Sequence, residues 1–117
     1  MAPNEQLQAA HQNRIGGQYD EALVLYRQLI GSDSEDAEAW WGLGLSLMNT
    51  GEFDEGIEAL ERATSLAPQC AKYLLDLGKM QTMLGMFDEA KLVFEQVVAM
   101  APGSKEADDA ANQLRYY

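Results

Sequence analysis

Three acidic pairs recur along this 117-residue chain: Asp20-Glu21, Asp54-Glu55 and Asp88-Glu89. Paired carboxylates are the raw material of metal sites and of general acid–base catalysis. Cys70 is the only cysteine, a potential nucleophile, and His11 the only histidine, a potential base or ligand. Chemistry requires such groups to converge, and their spacing argues against it. Successive pairs stand a full 34 residues apart, too far to share an ion. One Cys and one His cannot complete a structural zinc site. Each acidic pair instead opens a helical stretch, where negative charge is stabilised by about 0.3–1 kcal/mol. Cys70 falls in an inter-repeat turn and reads as structural. No Ser/His/acid or Cys/His spacing, P-loop or phosphate-binding glycine pattern is present. The expectation is a non-enzyme without metal or cofactor.

The elements that carry those pairs are more informative than the pairs. Gly17-Gln18-Tyr19-Asp20-Glu21-Ala22 returns as Gly51-Glu52-Phe53-Asp54-Glu55-Gly56 and again as Gly85-Met86-Phe87-Asp88-Glu89-Ala90. A fixed period of this size means stacked copies of one supersecondary unit. Such a unit cannot bury its apolar face alone, so neighbours cover one another. The blocks are 3–36, 37–70 and 71–104, followed by a tail, 105–117. Each block reads as two helices. In the second, Trp40, Leu43, Gly44 and Leu47 share one helical face. Gly51 ends that helix through its access to the left-handed conformation. A second helix then runs from about Asp54 to Leu66, and Pro68 closes the block. Gly44 and Gly56 are expected to face each other where the two helices cross, as are Ala10 with Ala22 and Gly78 with Ala90. In the tail, Ala107, Ala110, Ala111 and Leu114 make a thin apolar stripe suited to a capping helix.

Composition narrows the partners. Hydrophobic residues make up 47% of the chain, enough for a packed domain and too many for a disordered tail. The net charge of −11 argues against a nucleic-acid partner, since a polyanion would be repelled. No apolar run is long enough for membrane insertion, and the N-terminus does not read as a signal peptide. A single cysteine fits a reducing, cytoplasmic setting.

The chain resembles the tetratricopeptide repeat family, whose 34-residue pattern is W-x2-L-G-x2-Y, then A-x3-F, then a late Pro. The second block reads Trp40-x2-Leu43-Gly44-x2-Leu47, Gly56-x3-Leu60, Pro68. The third reads Leu74-x2-Leu77-Gly78-x2-Gln81, Ala90-x3-Phe94, Pro102. The first is weaker, with Gln6-x2-Ala9-Ala10-x2-Asn13 and Ala22-x3-Tyr26, and Ser34 in place of the late Pro. The resemblance implies an all-α fold: an α-solenoid of three helix-turn-helix repeats with a seventh, capping helix, wound as a right-handed superhelix in one domain, 1–117.

It also implies a concave groove lined by the first helix of each repeat, binding a peptide segment of a partner protein. The groove positions are Leu7, His11 and Arg14 in the first block. They are Glu38, Trp41, Leu45, Met48 and Asn49 in the second, and Lys72, Leu75, Asp76, Lys79 and Met83 in the third. With Trp40 filling the core position, Trp41 is expected to point outward as an apolar anchor, and Gly42 to open a notch beside it. Lys72, Lys79, Arg14 and Glu38 would form a charged rim. Relatives that clamp the C-terminal carboxylates of heat-shock chaperones use five polar residues. The matching positions here are Leu7, His11, Gly42, Lys72 and Asp76, of which only Lys72 fits, so that ligand is not expected. Trp41-Gly42-Leu43-Gly44 with Gly51-x-Phe53-Asp54 is also similar to the middle repeat of type III secretion translocator chaperones, which leaves a client chaperone as an alternative. A third reading is a self-associating scaffold in which Tyr116 and Tyr117 of one copy enter the groove of another.

Overall fold

The computed structural model describes all residues, Met1–Tyr117. It contains seven α-helices: α1 Pro3–Ile15, α2 Tyr19–Ser32, α3 Ala37–Asn49, α4 Phe53–Leu66, α5 Ala71–Met83, α6 Phe87–Met100 and α7 Lys105–Leu114. The first helices begin at Pro3, Ala37, Ala71 and Lys105, an even step of 34 residues. The second helices begin at Tyr19, Phe53 and Phe87 with the same step. The expected α4 start at Asp54 moves by one residue only.

Local chemistry explains the punctuation. Gly17, Gly51 and Gly85 follow the first helices at φ of 82°, 85° and 77°, a region that favours glycine. The next residue then bonds back across the helix end: Gln18 to Asn13, Glu52 to Leu47 and Met86 to Gln81, at 2.7, 2.9 and 2.8 Å. This closure satisfies carbonyls that the helix leaves open. The Asp36 carboxylate caps α3 by accepting from the Ala39 amide at 3.1 Å, and Ser104 Oγ caps α7 by accepting from Ala107 at 3.0 Å. The acidic pairs occupy the first turns of α2, α4 and α6.

The chain divides into two compact units, Met1–Leu66 and Ala67–Tyr117. In the first, α1 packs on α2, α2 on α3 and α3 on α4, and α1 also reaches α3. Its core gathers Ala10, Ala22, Leu23, Tyr26, Leu29, Ala39, Leu43, Leu47 and Ala59. Gly44 and Gly56 do face each other. A methyl on Gly44 would lie 3.1 Å from the Gly56 carbonyl oxygen and 2.7 Å from Leu60 Cγ.

In the second unit α5 packs on α6, α6 on α7, and α7 touches α5. Leu74, Leu75, Ala90, Phe94, Val97 and Ala110 form its core. At Gly78 the close neighbour is the Phe94 ring, 2.7 Å from where a methyl would stand. Helix α7 buries Ala107 and Ala110 and leaves Asp108 and Asn112 exposed, along with Ala111, which drops out of the expected apolar stripe. Its outward face is therefore polar, as a cap requires. Gln81 occupies the position that Leu47 fills one repeat earlier. It is 4% exposed, and its Oε1 is buried without a hydrogen-bond partner. A buried orphan acceptor costs about 1–3 kcal/mol. Gln81→Leu should therefore raise the denaturant midpoint of the second unit, with an unchanged slope against denaturant.

Candidate functional site

The first unit contains a connected polar cluster, and it begins with a glycine. Gly42 on α3 leaves a hollow that the Tyr26 ring of α2 enters, and a methyl there would overlap the phenol carbons and oxygen. The Tyr26 hydroxyl accepts a bond from Arg14 Nε at 3.1 Å and lies 2.5 Å from His11 Nδ1. His11 Nε2 lies 2.7 Å from Glu38 Oε2. One proton arrangement satisfies every partner. Tyr26 donates to Nδ1 while accepting from Arg14, and Nε2–H donates to the Glu38 carboxylate. Burial pushes the Tyr26 phenol above its ordinary value, with Glu38 acting in the same direction and Arg14 opposing. The sequence Glu38–His11–Tyr26 has the form of a proton relay. Tyr26 is completely buried, however, so no substrate reaches its oxygen. The cluster's role is to tie α1, α2 and α3 together.

Trp41 belongs to this cluster, which corrects two expectations. The indole is only 7% exposed. The Arg14 guanidinium carbon lies 4.9 Å from its ring centroid, and the His11 ring meets it edge-on at 5.8 Å. Trp40 is the partly buried one, packed on the core with Nε1 donating to the Ser34 carbonyl at 2.8 Å. The physical reason is that α3 has packed neighbours on several sides. It meets α4 in its own repeat, and it also meets α2 and α1. Both indoles can thus be covered at once. The Gly42 notch is likewise filled from within, by Tyr26, and offers no opening to a ligand.

The remaining expected groove residues sort clearly. In the first unit Leu7 is half-buried against the core and Leu45 is half-buried. Met48 is buried over Gly56, where a methyl would come within 2.9 Å of its sulfur. Asn49 is exposed and donates to the Leu45 carbonyl at 2.9 Å. His11 is half-buried, and Arg14 and Glu38 are bound within the cluster rather than poised at a rim. In the second unit Leu75 is buried in the core, Lys72 is exposed and Asp76 half-buried. Lys79 Nζ donates to Asp109 Oδ2 at 2.6 Å, which fastens α5 to α7. Met83 stays out, 68% exposed, and so does Ile15 in the first unit, 76% exposed. These two occupy the same repeat position, the last residue of a first helix.

The tail differs from the expected free insert. Tyr116 is 89% exposed, but Tyr117 lies against its own unit. Its ring centroid stands 6.3 Å from Phe87 and 6.2 Å from Phe94, and its hydroxyl lies 2.6 Å from Thr82 Oγ1. The period gave no signal of this: it places Tyr117 where α5 has the exposed Met83.

Comparison with known proteins agrees with this fold. A family profile described as tetratricopeptide repeat matches residues 16–79, and a second with the same description matches residues 72–104. The peroxisomal targeting signal receptor of Yarrowia lipolytica is 31% identical over 98 residues, covering 84% of this chain and 16% of the receptor. The chain thus spans about a sixth of the length of that relative. The Yersinia enterocolitica type III secretion chaperone SycD, solved with a peptide of the translocator YopD, superposes with a TM-score of 0.84 at 15% identity. That match covers 97% of this chain and 86% of SycD. The second repeat domain of human RPAP3, solved with an HSP70 peptide, gives a TM-score of 0.82 at 23% identity, covering 97% and 98% of the two chains.

Proposed function

Because the chain belongs to the tetratricopeptide repeat family, we propose that it is a protein-interaction module holding a segment of a partner protein on the faces of its first helices. The observation that carries this reading is the pair Ile15 and Met83. Equivalent by the period, they end α1 and α5 with large apolar side chains 76% and 68% exposed. Covering such a side chain is worth about 1.5–3 kcal/mol. Leu7 and Leu45, half-buried, and Asn49, exposed with amide hydrogen to spare, add a mixed apolar and polar surface in the first unit. Lys72, exposed on α5, supplies a cation in the second. The peptides held by SycD and by RPAP3 support the choice of a segment rather than a small molecule.

The test is capture from native lysate by the wild type and by the Ile15→Ser and Met83→Ser variants. Both changes lie on the surface, so the circular dichroism melt should not move. A specific captured protein should lose about tenfold or more in affinity for at least one variant, since each 1.4 kcal/mol is a factor of ten. A single dominant client would identify the module as a dedicated chaperone. Equal capture by wild type and by the double variant would remove these helix ends from the binding surface.

A further inference from the structure

The contacts of Tyr117 define a site that the reading above does not use. Thr82 comes from α5, and Phe87 and Phe94 from α6. Together they receive the Tyr117 ring, nearly perpendicular to Phe87 at 67° and tilted at 56° to Phe94. Edge-to-face packing of this kind, as on Phe87, adds specificity for a flat ring beyond area burial. The polar end of the seat is also specified. Thr82 Oγ1 donates its single proton to the Gly78 carbonyl at 3.0 Å. With that proton on the Gly78 carbonyl, both contacts of the threonine oxygen are satisfied when the Tyr117 phenol donates across the 2.6 Å. The seat asks for a flat ring bearing a hydroxyl donor at its far end.

The occupant is weakly held. Tyr117 lies beyond the end of α7 at Leu114 and is 41% exposed, while Phe87 stays 55% exposed beneath it. A cleft of about 290 Å³ continues beside the ring, bounded by Thr82, Phe87, Gln113, Tyr116 and Tyr117. A ring carried past a helix end and partly open to solvent is released at little free-energy cost.

We propose that the Thr82–Phe87–Phe94 seat is a subsite for a tyrosine side chain of the partner segment, with Tyr117 as the resident ring that the partner displaces. This rests on reading the chain as a segment-binding module and adds the identity of one anchor. A tethered ring acts at roughly millimolar effective concentration, so the partner tyrosine must be carried by a segment with further contacts. The seat rejects phenylalanine by about five- to tenfold, the worth of one ordinary hydrogen bond, and rejects O-methyltyrosine because that ring has no proton to give.

The probes are N-acetyl-tyrosine amide and N-acetyl-phenylalanine amide, titrated while the signals of Thr82, Phe87 and Phe94 are followed by NMR. In Tyr117→Ala the tyrosine amide should shift those signals and bind about five- to tenfold better than the phenylalanine amide. In the wild type the same shifts should need several-fold more probe. Adding Thr82→Val to Tyr117→Ala should erase the preference between probes while keeping the ring contact. Tyr117→Leu gives a second empty-hydroxyl background should the alanine variant loosen α7. Equal response of wild type and Tyr117→Ala, no shift at the three residues, or equal binding of the two amides would overturn the proposal. The probe is a single capped residue. Its failure would leave capture through Ile15 and Met83 standing, and failure of capture would leave the ring preference intact.

Discussion

Gly44→Leu should abolish cooperative folding of the first unit, while Gly31→Ala in the same unit should raise its melting temperature. Both replace a helical glycine, and both gain about 1 kcal/mol of helix propensity at most. The difference is what the new carbon meets. At Gly31 on α2 nothing lies within 4 Å. At Gly44 on α3 the first added carbon already sits 2.7 Å from Leu60 Cγ and 3.1 Å from the Gly56 carbonyl oxygen. The leucine tip could shift, but the Gly56 backbone can yield only if α4 moves as a body. Leucine adds three more carbons into that space. Overpacking costs about 1–3 kcal/mol even for small insertions, and a domain of this size holds about 5–15 kcal/mol in all. Thermal melts by circular dichroism decide the matter. A Gly44→Leu protein that melts where the wild type does would mean that α3 and α4 do not cross glycine on glycine.

The architecture was legible because it is written in positions that admit few residues. Gly17, Gly51 and Gly85 carry positive φ and so announce three helix ends at one spacing. The tail from residue 105 does open as a seventh helix, with Ser104 as its N-cap. The lateral contacts were harder to read. A period of 3.6 marks one apolar stripe, and α3 has no single stripe: it buries Ala39, Trp41, Gly42, Leu43, Gly44, Ser46, Leu47 and Met48, all round its axis. Assigning one indole to the core and the other to solvent therefore failed. The filling of the Gly42 hollow depends on Tyr26, a residue of the preceding repeat, whose reach is not a local property of either sequence stretch. His11 was read as a surface or groove residue because its partners, Tyr26 and Glu38, belong to other helices. Met83 and Ile15, each the last residue of a first helix, stay exposed.

Trp41→Ala separates the two accounts of that indole. As an outward anchor, Trp41 could be truncated with helicity and melting temperature intact, and only partner capture would fall. As the structure has it, truncation empties a space beneath the Arg14 guanidinium and beside His11. Buried Trp→Ala changes typically cost about 3–5 kcal/mol. The loss should spread, because Arg14 and His11 both hold the Tyr26 hydroxyl in place, and that phenol fills the hollow at Gly42. The expected result is a first unit near its folding threshold, with Trp41→Phe intermediate because a smaller ring still occupies the site. Intrinsic fluorescence gives an independent check: the Trp41 component should emit as a shielded indole and resist quenching by iodide until the unit unfolds. A Trp41→Ala variant with wild-type stability and quenchable emission from Trp41 in the parent would place the indole outside and return it to the list of anchors. Loss of capture by this variant alone therefore says nothing about contact with a partner, and for that reason Ile15 and Met83, whose side chains are already in water, are the residues on which recognition should be tested.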